Sequence, residues 1–200
     1  MHAPSPPRPA VWRALGLGAV FLLVAATAAI ALISSGRLDP RLPGPLQAEL
    51  GPQTVEIGAE EATLLWQEVA LPEPPYSVRL RATSSGAETV AYGLALGGPD
   101  GYLAVVISPA GYRSVSLQRA GAGEEVLLWH APLGDALPRA IEIQVDVRED
   151  GTATVWVARE TIWEGEWPGT GRQVGLLARG EGGAATVVFE AVELFGRSEL

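Results

Sequence analysis

The sequence predicts an all-β fold, a two-sheet antiparallel jelly-roll sandwich, preceded by one N-terminal transmembrane helix. From about residue 50 onward, apolar and polar residues alternate with a period of 2, which is the pattern of half-buried strands. Gly, Pro and Asp interrupt this pattern about every ten residues, as in all-β sandwiches. Nearer the N-terminus, one long apolar run has no such interruption.

The run Ala14–Gly36 has the length and composition of a membrane span. Its 23 uncharged residues would form a helix of roughly 34 Å, and the hydrocarbon core of a bilayer is about 30 Å thick. Arg13 and Arg37 bound the run. We therefore predict an unpacked Pro-rich tail at residues 1–12 and a signal-anchor at residues 13–36, with the lipid bilayer as its partner.

Two other interpretations of this run stay open. Ala26-Thr27-Ala28 resembles a signal-peptidase site, so the segment could be a cleaved signal peptide, although the apolar run continues beyond it. A buried core helix is the third interpretation. Two arginines flank the run on each side, so the positive-inside rule gives almost no preference for which end of the helix is cytoplasmic. The short tail before a long polar domain favours a single-pass protein of the cell membrane with its C-terminal domain outside the cytoplasm.

Charge separates the two parts of the chain. Residues 1–44 hold four arginines and one acidic residue, a net charge of +3, whereas residues 45–200 hold ten arginines and twenty-two acidic residues, a net charge of −12. The acidic balance argues against a nucleic-acid partner. The absence of Cys excludes disulfides, zinc–thiolate sites and a thiol nucleophile. A composition rich in residues of GC-rich codons favours a bacterial source.

The remaining chain reads as a linker followed by the sandwich. Proline and glycine at residues 37–48 predict a stiff spacer, and residues 49–197 form the predicted sandwich domain. In Ile141–Arg148, apolar β-branched residues alternate with polar ones throughout. Glu149-Asp150-Gly151 then predicts a tight hairpin. Strands are expected at 54–57, 62–67, 76–82, 90–96, 102–108, 112–118, 125–129, 141–148, 152–157, 173–178 and 185–195, the last with a bend or break midway.

Several strand and turn motifs resemble those of the concanavalin A-like jelly rolls. They are Tyr92-Gly93-Leu94, Asp100-Gly101-Tyr102-Leu103, Leu127-Leu128-Trp129, Val155-Trp156-Val157 and Val187-Val188-Phe189-Glu190. Over residues 50–196 the chain is most similar to LamG-like domains and to the 3-keto-disaccharide hydrolase domain, also called the family 16 glycoside hydrolase-like domain. The resemblance implies a jelly-roll fold and makes a carbohydrate the leading ligand class. Where that group often has Asn-Gly after the Val-Trp-Val strand, this chain has Ala158-Arg159-Glu160.

One strand carries the candidate catalytic residues. Jelly-roll glycosidases place acidic residues at alternating positions of a strand, where one acts as an acid and one as a nucleophile. The nearest string here is Glu142-Ile143-Gln144-Val145-Asp146, whose middle position is an amide. If the protein is an enzyme, Glu142 and Asp146 would act. The competing interpretation, which we favour, is the solvent face of an amphipathic strand. His130 has no identifiable nucleophile to activate.

The candidate binding residues are aromatic and basic. Trp156 alternates with the core-side Val155 and Val157 and should point outward, where it could stack on a sugar or a protein partner. Trp163 and Trp167 lie in the following polar segment and could join it. Arg79 and Arg81 share an outward parity and could either bind a carboxylate ligand or pair with Glu142 or Asp146 across the sheet.

No cofactor is expected, although calcium is possible. Jelly-roll domains bind calcium through loop aspartates and carbonyls, and Asp100 and Asp150 lie in predicted loops. Because Asp before Gly also favours a turn, we interpret both as turn formers.

These features predict a membrane-anchored, extracytoplasmic binding module, non-catalytic, for a carbohydrate or another cell-envelope component. Two alternatives stay open. One is a glycoside-processing enzyme of the 3-keto-disaccharide hydrolase type. The other is a structural or sensory ectodomain that binds another protein.

Overall fold

The chain divides into two compact units, Met1–Pro40 and Arg41–Leu200. The predicted tail at residues 1–8 and most of the predicted linker, residues 37–43, lie outside the described residues. The computed structural model describes residues 9–34, 44–86, 90–109, 113–121, 124–133, 139–167 and 172–196, with the helical side chains described for residues 18–30.

The first unit contains one helix, α1, which runs from Pro9 to Ser34. Residues 9–12, which the sequence assigns to the tail, are the first residues of this helix. Proline suits a helix start because its missing N–H would have no partner inside the helix. The described side chains from residue 18 to residue 30 are exposed. Among the residues with a described placement, no helix has the length and hydropathy needed to cross a membrane.

The second unit is built from antiparallel strands. The thirteen strands in the described residues are β1 (Leu46–Leu50), β2 (Gln53–Ile57), β3 (Ala62–Ala70), β4 (Tyr76–Gly86), β5 (Val90–Gly98), β6 (Gly101–Ser108), β7 (Ser114–Gly121), β8 (Glu124–Pro132), β9 (Ile141–Val147), β10 (Thr152–Val157), β11 (Glu160–Glu166), β12 (Gln173–Gly180) and β13 (Ala185–Gly196).

These strands form two sheets. The seven-stranded sheet has the order β1-β13-β4-β9-β10-β11, and β2 also pairs with β13. The six-stranded sheet has the order β3-β12-β5-β6-β7-β8. The period-2 alternation gives each strand one apolar side, and the apolar sides of both sheets meet in one core. On β9, Ile141, Ile143 and Val145 are at most 2% exposed. The predicted all-β sandwich is confirmed.

Two strands were not predicted, β1 and β11. Residues 46–48 of β1 fall in the predicted linker, but they pair with the end of β13. A short edge strand directly after Pro45 is compatible with that proline because an edge strand has one unpaired side. Three glutamates give the segment of β11 a polar sequence, whereas its pairing with β10 makes it a strand.

The last strand, β13, bends without breaking. Its register with β4 shifts between Phe189 and Ala191. An extra residue at such a bulge lets one strand of twelve residues change direction and stay paired. The predicted bend is therefore a bulge.

The turn between β10 and β11 has an uncommon composition. Its two central residues, Ala158 and Arg159, have φ values of 49° and 72°. Positive φ at both central residues defines the type I′ hairpin, which normally requires Asn or Gly. The chain thus keeps the turn conformation typical of Asn-Gly with residues that disfavour it.

Candidate functional site

The sandwich presents two outward faces of different chemistry. We call the outward side of the seven-stranded sheet, around Ser77, Gln144, Asp146 and Trp156, the polar face. We call the outward side of the six-stranded sheet, which holds Trp66, the trough. Of the residues predicted from the sequence, Arg79, Arg81, Glu142, Asp146 and Trp156 lie on the polar face.

Asp146 is the hydrogen-bonding centre of the polar face. Its carboxylate accepts hydrogen bonds from Gln144 Nε2 at 2.7 Å and from Trp156 Nε1 at 2.7 Å. The Ser77 hydroxyl also donates to Asp146. Hydrogen bonds to a carboxylate are short and directional, so they orient the groups that donate them. Asp146 therefore organises this face.

Trp156 points outward, as its strand parity predicts. Gln144 lies directly opposite it on β9, and Asp146 is two residues further along. The indole therefore reaches diagonally to Asp146, beside Gln144, which is fully buried although it is on an outward face. Trp156 thus covers a buried polar cluster. Its predicted role in ligand binding stays a prediction.

The two arginines have unequal environments. Arg79 Nε lies 2.7 Å from Glu193 Oε2, in an alignment that does not form a hydrogen bond, and the Arg79 guanidinium stands 5.0 Å from the centre of the Phe195 ring. Its distance to Glu142 is 3.9 Å. Arg81 is exposed and opposite Glu142 in the ladder. Of the predicted cross-strand pairs, Arg79 and Glu142 therefore form a long ion pair, with 3.9 Å between their charged groups.

The two candidate catalytic carboxylates do not converge. Glu142 and Asp146 are four residues apart on β9, which is about 13 Å along a strand. Glycosidases need their carboxyl groups about 5–10 Å apart. Asp146 bonds to Gln144 and Trp156, whereas Glu142 lies near Arg79. The arrangement fits an amphipathic strand better than an acid–nucleophile pair.

Trp163 and Trp167 do not join Trp156. Trp163 pairs with Val155, whose side chain is in the core. Both tryptophans pack against that core. The physical reason is the period of β11, which turns Trp163 inward and Glu164 outward. Trp163 thus faces the core, whereas Trp156 faces outward, and the predicted role of Trp163 in ligand binding stays a prediction.

The two candidate calcium aspartates lie in turns. Asp150 Oδ1 accepts hydrogen bonds from the Thr152 backbone N–H at 2.9 Å and from the Thr152 hydroxyl at 2.6 Å. These bonds hold the pKa of Asp150 below its usual value. Asp100 is exposed in the β5–β6 turn. Within the described residues, no three His, Asp or Glu side chains are grouped closely enough to hold a metal ion.

Two aromatic side chains from distant strands meet over the trough. Trp66 is on β3 and Tyr102 is on β6, so β12 and β5 lie between them. Three strand spacings in a flat sheet amount to about 14 Å. The two ring centres are nevertheless 5.6 Å apart, at an interplanar angle of 72°. Both side chains therefore lean across the strands between them, and the Trp66 ring lies against Gly175 of β12.

A long-range ion pair also crosses the trough. Arg179 is on β12 and Glu125 is on β8, four strands away. The spacing would be about 19 Å in a flat sheet. The Arg179 guanidinium lies 3.1 and 3.0 Å from the two Glu125 carboxylate oxygens. This contact requires a strongly curved face.

Small apolar residues line the floor of the trough. A Cβ on Gly175 would meet the Trp66 ring at 3.0 Å, so the indole rests on a glycine. The floor residues are at most 4% exposed although they point away from the main core, because larger neighbours stand over them. They are Ala91, Ala95, Ala104, Val106 and Leu177.

Polar groups border the aromatic part of the trough. Gln118 donates to the Ser116 hydroxyl at 3.0 Å, and His130 is exposed opposite Ser116. Burial raises the pKa of Tyr102, with Glu125 adding to the effect and Arg179 opposing it. The trough thus combines aromatic rings with hydrogen-bonding side chains.

Sequence reasoning missed the trough. One signal was present in β5, where every outward residue from Ala91 to Gly97 is Ala or Gly. A strand face of small residues predicts that larger neighbouring side chains can lie over it. The partners, Trp66 and Tyr102, could not be paired without knowing the strand order.

A separate open pocket of about 460 Å³ lies at one end of the sandwich. Glu56, Glu61, Ser85 and Thr186 are among its lining residues. Glu61 uses a carboxylate oxygen to accept the Gly58 N–H at 2.9 Å. None of the predicted site residues lines this pocket.

Solved structures share the fold. The chain matches the carbohydrate recognition domain of Emp47p with a TM-score of 0.53 and 14% identity, covering 78% of this chain and 94% of that one. A legume lectin-like domain from Entamoeba histolytica matches with a TM-score of 0.57 and 9% identity, covering 76% and 87%. A native glycosidic hydrolase matches with a TM-score of 0.53 and 12% identity, covering 76% and 81%. At these identities the likeness shows the fold alone.

No protein-family model matches the sequence, and no curated protein matches it.

Proposed function

We propose that the sandwich is a non-catalytic carbohydrate-binding module and that the trough is its binding face. The observation that carries the proposal is the contact between Trp66 and Tyr102 across a curved sheet. A sugar offers an apolar ring face to an aromatic side chain and hydroxyl groups to polar ones. Gln118 and His130 supply such polar groups on the same face.

The structural neighbours support this ligand class. Two of them are named as a carbohydrate recognition domain and a legume lectin-like domain. They share the two-sheet sandwich, and a fold is compatible with many functions. The ligand class therefore rests on the chemistry of the trough together with this likeness.

A glycan array probed with the full-length chain tests the proposal. We expect binding to at least one glycan, and Trp66→Ala should then lower its affinity at least tenfold. Gln118→Ala, which leaves the aromatic pair in place, should lower it less. Thermal unfolding of each variant controls for a loss of folding.

Trp156→Ala is the matched control, because it removes a tryptophan from the opposite sheet. Its glycan affinity should equal that of the unaltered chain. If Trp156→Ala abolishes binding and Trp66→Ala does not, the trough is not the site. If no glycan binds the unaltered chain, the ligand class is wrong.

We also propose that residues 13–36 anchor the module in the cell membrane, with the sandwich outside the cytoplasm. The support is the uncharged 23-residue run and the +3 charge of the N-terminal segment. Alkaline carbonate washing of membranes should leave the full-length chain in the pellet. Release into the supernatant would contradict anchoring. Reporter fusions at the two ends test orientation, and an active cytoplasmic reporter at the C-terminus would reverse it.

A further inference from the structure

Strand β8 is an edge strand with exposed apolar side chains. It is the last strand in the order of the six-stranded sheet. Leu127 and Leu128 are 59% and 42% exposed. Among the described residues of the sandwich, Leu46 is the other large apolar side chain with comparable exposure. Two adjacent leucines thus stand on one sheet edge.

The edge of the other sheet is protected differently. Strand β11 carries Glu160, Glu164 and Glu166 within seven residues. Charged side chains discourage pairing with another chain, and lysine or proline serves the same purpose on many edge strands. The whole chain has no lysine, and the only proline of β8 is its last residue, Pro132. The middle of β8, Val126 to Trp129, therefore carries no charged residue and no proline.

A bulge at the two leucines divides β8 into two halves. The register with β7 shifts there, since Leu117 is opposite Trp129 whereas Gln118 is opposite Leu127. The extra residue reverses the alternation along the strand. As a result, Glu125 and His130 both point to the trough side, although they are five residues apart, and Val126 shares the inward side with Trp129.

We propose that β8 pairs antiparallel with β8 of a second copy of this chain, about a two-fold axis between Leu127 and Leu128. In this register Glu125 stands opposite His130 of the second copy, and Val126 stands opposite Trp129. Outward residues then meet outward ones and inward residues meet inward ones. The four exposed leucines of the two copies become buried at the axis.

The bulge selects this register. In an unbroken strand, pairing about an axis between two residues would place inward side chains opposite outward ones. The reversal at Leu127 and Leu128 removes this mismatch. A shift by one residue restores it, because Glu125 would then stand opposite Trp129.

The interface is small, so we expect a weak dimer. Nine residues of one strand bury less than the roughly 1,200 Å² that stable complexes need. Dimerisation should therefore depend on protein concentration. This inference does not rest on carbohydrate binding, and its test needs no glycan.

Cross-linking tests the register directly, because the natural chain has no cysteine. Full-length Glu125→Cys and His130→Cys variants, carrying different tags, are mixed and oxidised. Opposed residues have Cβ atoms about 4.5–5.5 Å apart, within reach of a disulfide after a small adjustment. We expect the mixed disulfide to form at least tenfold faster than either self-disulfide, whose cysteines would be five residues apart along the ladder.

A mixture of Thr161→Cys and Glu164→Cys on β11 is the control, and it should form no cross-link. Equal rates for the mixed and self-disulfides would overturn the register, and no disulfide at all would overturn the interface.

Sedimentation of the full-length chain tests the interface without cysteine. The double variant Leu127→Lys/Leu128→Lys places charge on exposed positions, so the fold should be kept, as circular dichroism can verify. Its monomer–dimer dissociation constant should be at least tenfold higher than that of the unaltered chain. An unchanged constant, or an unaltered chain that stays monomeric at all concentrations, would overturn the proposal.

Discussion

The two outward faces of the sandwich differ in how they fill the space above their strands. On the polar face, Asp146 gathers hydrogen bonds from Ser77, Gln144 and Trp156. In the trough, Trp66 and Tyr102 converge over Gly and Ala. Hydrogen-bonded polar side chains cover the polar face, whereas aromatic rings packed over small residues cover the trough. The same alternating strand pattern therefore supports two surfaces whose responses to substitution should differ.

The largest expected effect is a loss of folding stability above pH 10. Two core-facing tyrosines, one in each sheet, should cause it. Burial raises the pKa of Tyr76 on β4 and of Tyr92 on β5 to about 12, although hydrogen bonds to Trp167 and Ser84 respectively oppose the shift. The unfolded chain releases these protons near the ordinary pKa of 10.0. Stability present below pH 10 is therefore lost as the pH rises toward 12, by about 2 kcal/mol for each tyrosine.

Denaturant unfolding between pH 10 and 12 measures this loss. Tyr76→Phe and Tyr92→Phe should each flatten the pH dependence by about half. Similar flattening by both would indicate that the two sheets bury their tyrosines equally. A free energy of unfolding that stays constant over this range would contradict the prediction.

The close approach of backbones in the six-stranded sheet should make Gly93→Ala strongly destabilising. A Cβ at this position would lie 2.0 Å from the Val105 carbonyl oxygen. Overpacking against backbone costs about 3 kcal/mol, which chemical denaturation can measure. Gly51→Ala is the matched control because nothing lies within 4 Å of its added Cβ. Equal stability of the two variants would show that the sheet yields easily here.

On the polar face, Asp146→Ala should cost about 2 kcal/mol. The substitution removes the acceptor of buried donors at Gln144 and Ser77, and a buried donor that loses its acceptor costs about 1–3 kcal/mol. Thermal or chemical unfolding measures the loss. Asp150→Ala, at an exposed turn, should cost less. A larger loss at Asp150 would mean that Asp146 does not organise this face.

The smallest expected effect is a gain in stability at the β10–β11 turn. Arg159 has φ 72°, which glycine adopts without strain. Arg159→Gly should therefore raise the free energy of unfolding by about 1 kcal/mol. Arg159→Ala is the control and should give no gain, because alanine keeps the Cβ. Stabilisation by both would point to charge and not to backbone conformation.

Much of the fold could be predicted from local patterns. The alternation in Ile141–Arg148 predicted both a strand and its buried side, and Val145 lies fully in the core. The Asp-Gly turn at Glu149–Gly151 was predicted for the same local reason. Strand β11 was missed because its glutamates concealed an inward Trp163, and β1 was missed because proline and glycine surround it.

The candidate site was less predictable. The outward direction of Trp156 followed from parity, but its hydrogen bond to Asp146 depends on the pairing of β10 with β9. The aromatic pair of the trough involves strands separated by two others. No local pattern in the sequence contains that order.

The sequence by itself determined most of the strands, the side that each of these strands buries, and the division into a basic N-terminal segment and an acidic body. These properties depend on period, turn residues and charge, all of which are local. Tertiary structure alone decided which strands are neighbours, how strongly the six-stranded sheet curves, and thus that Trp66 meets Tyr102 and Glu125 meets Arg179. Such contacts follow from the packing of the whole sandwich, because curvature and strand order arise only when all the strands are paired.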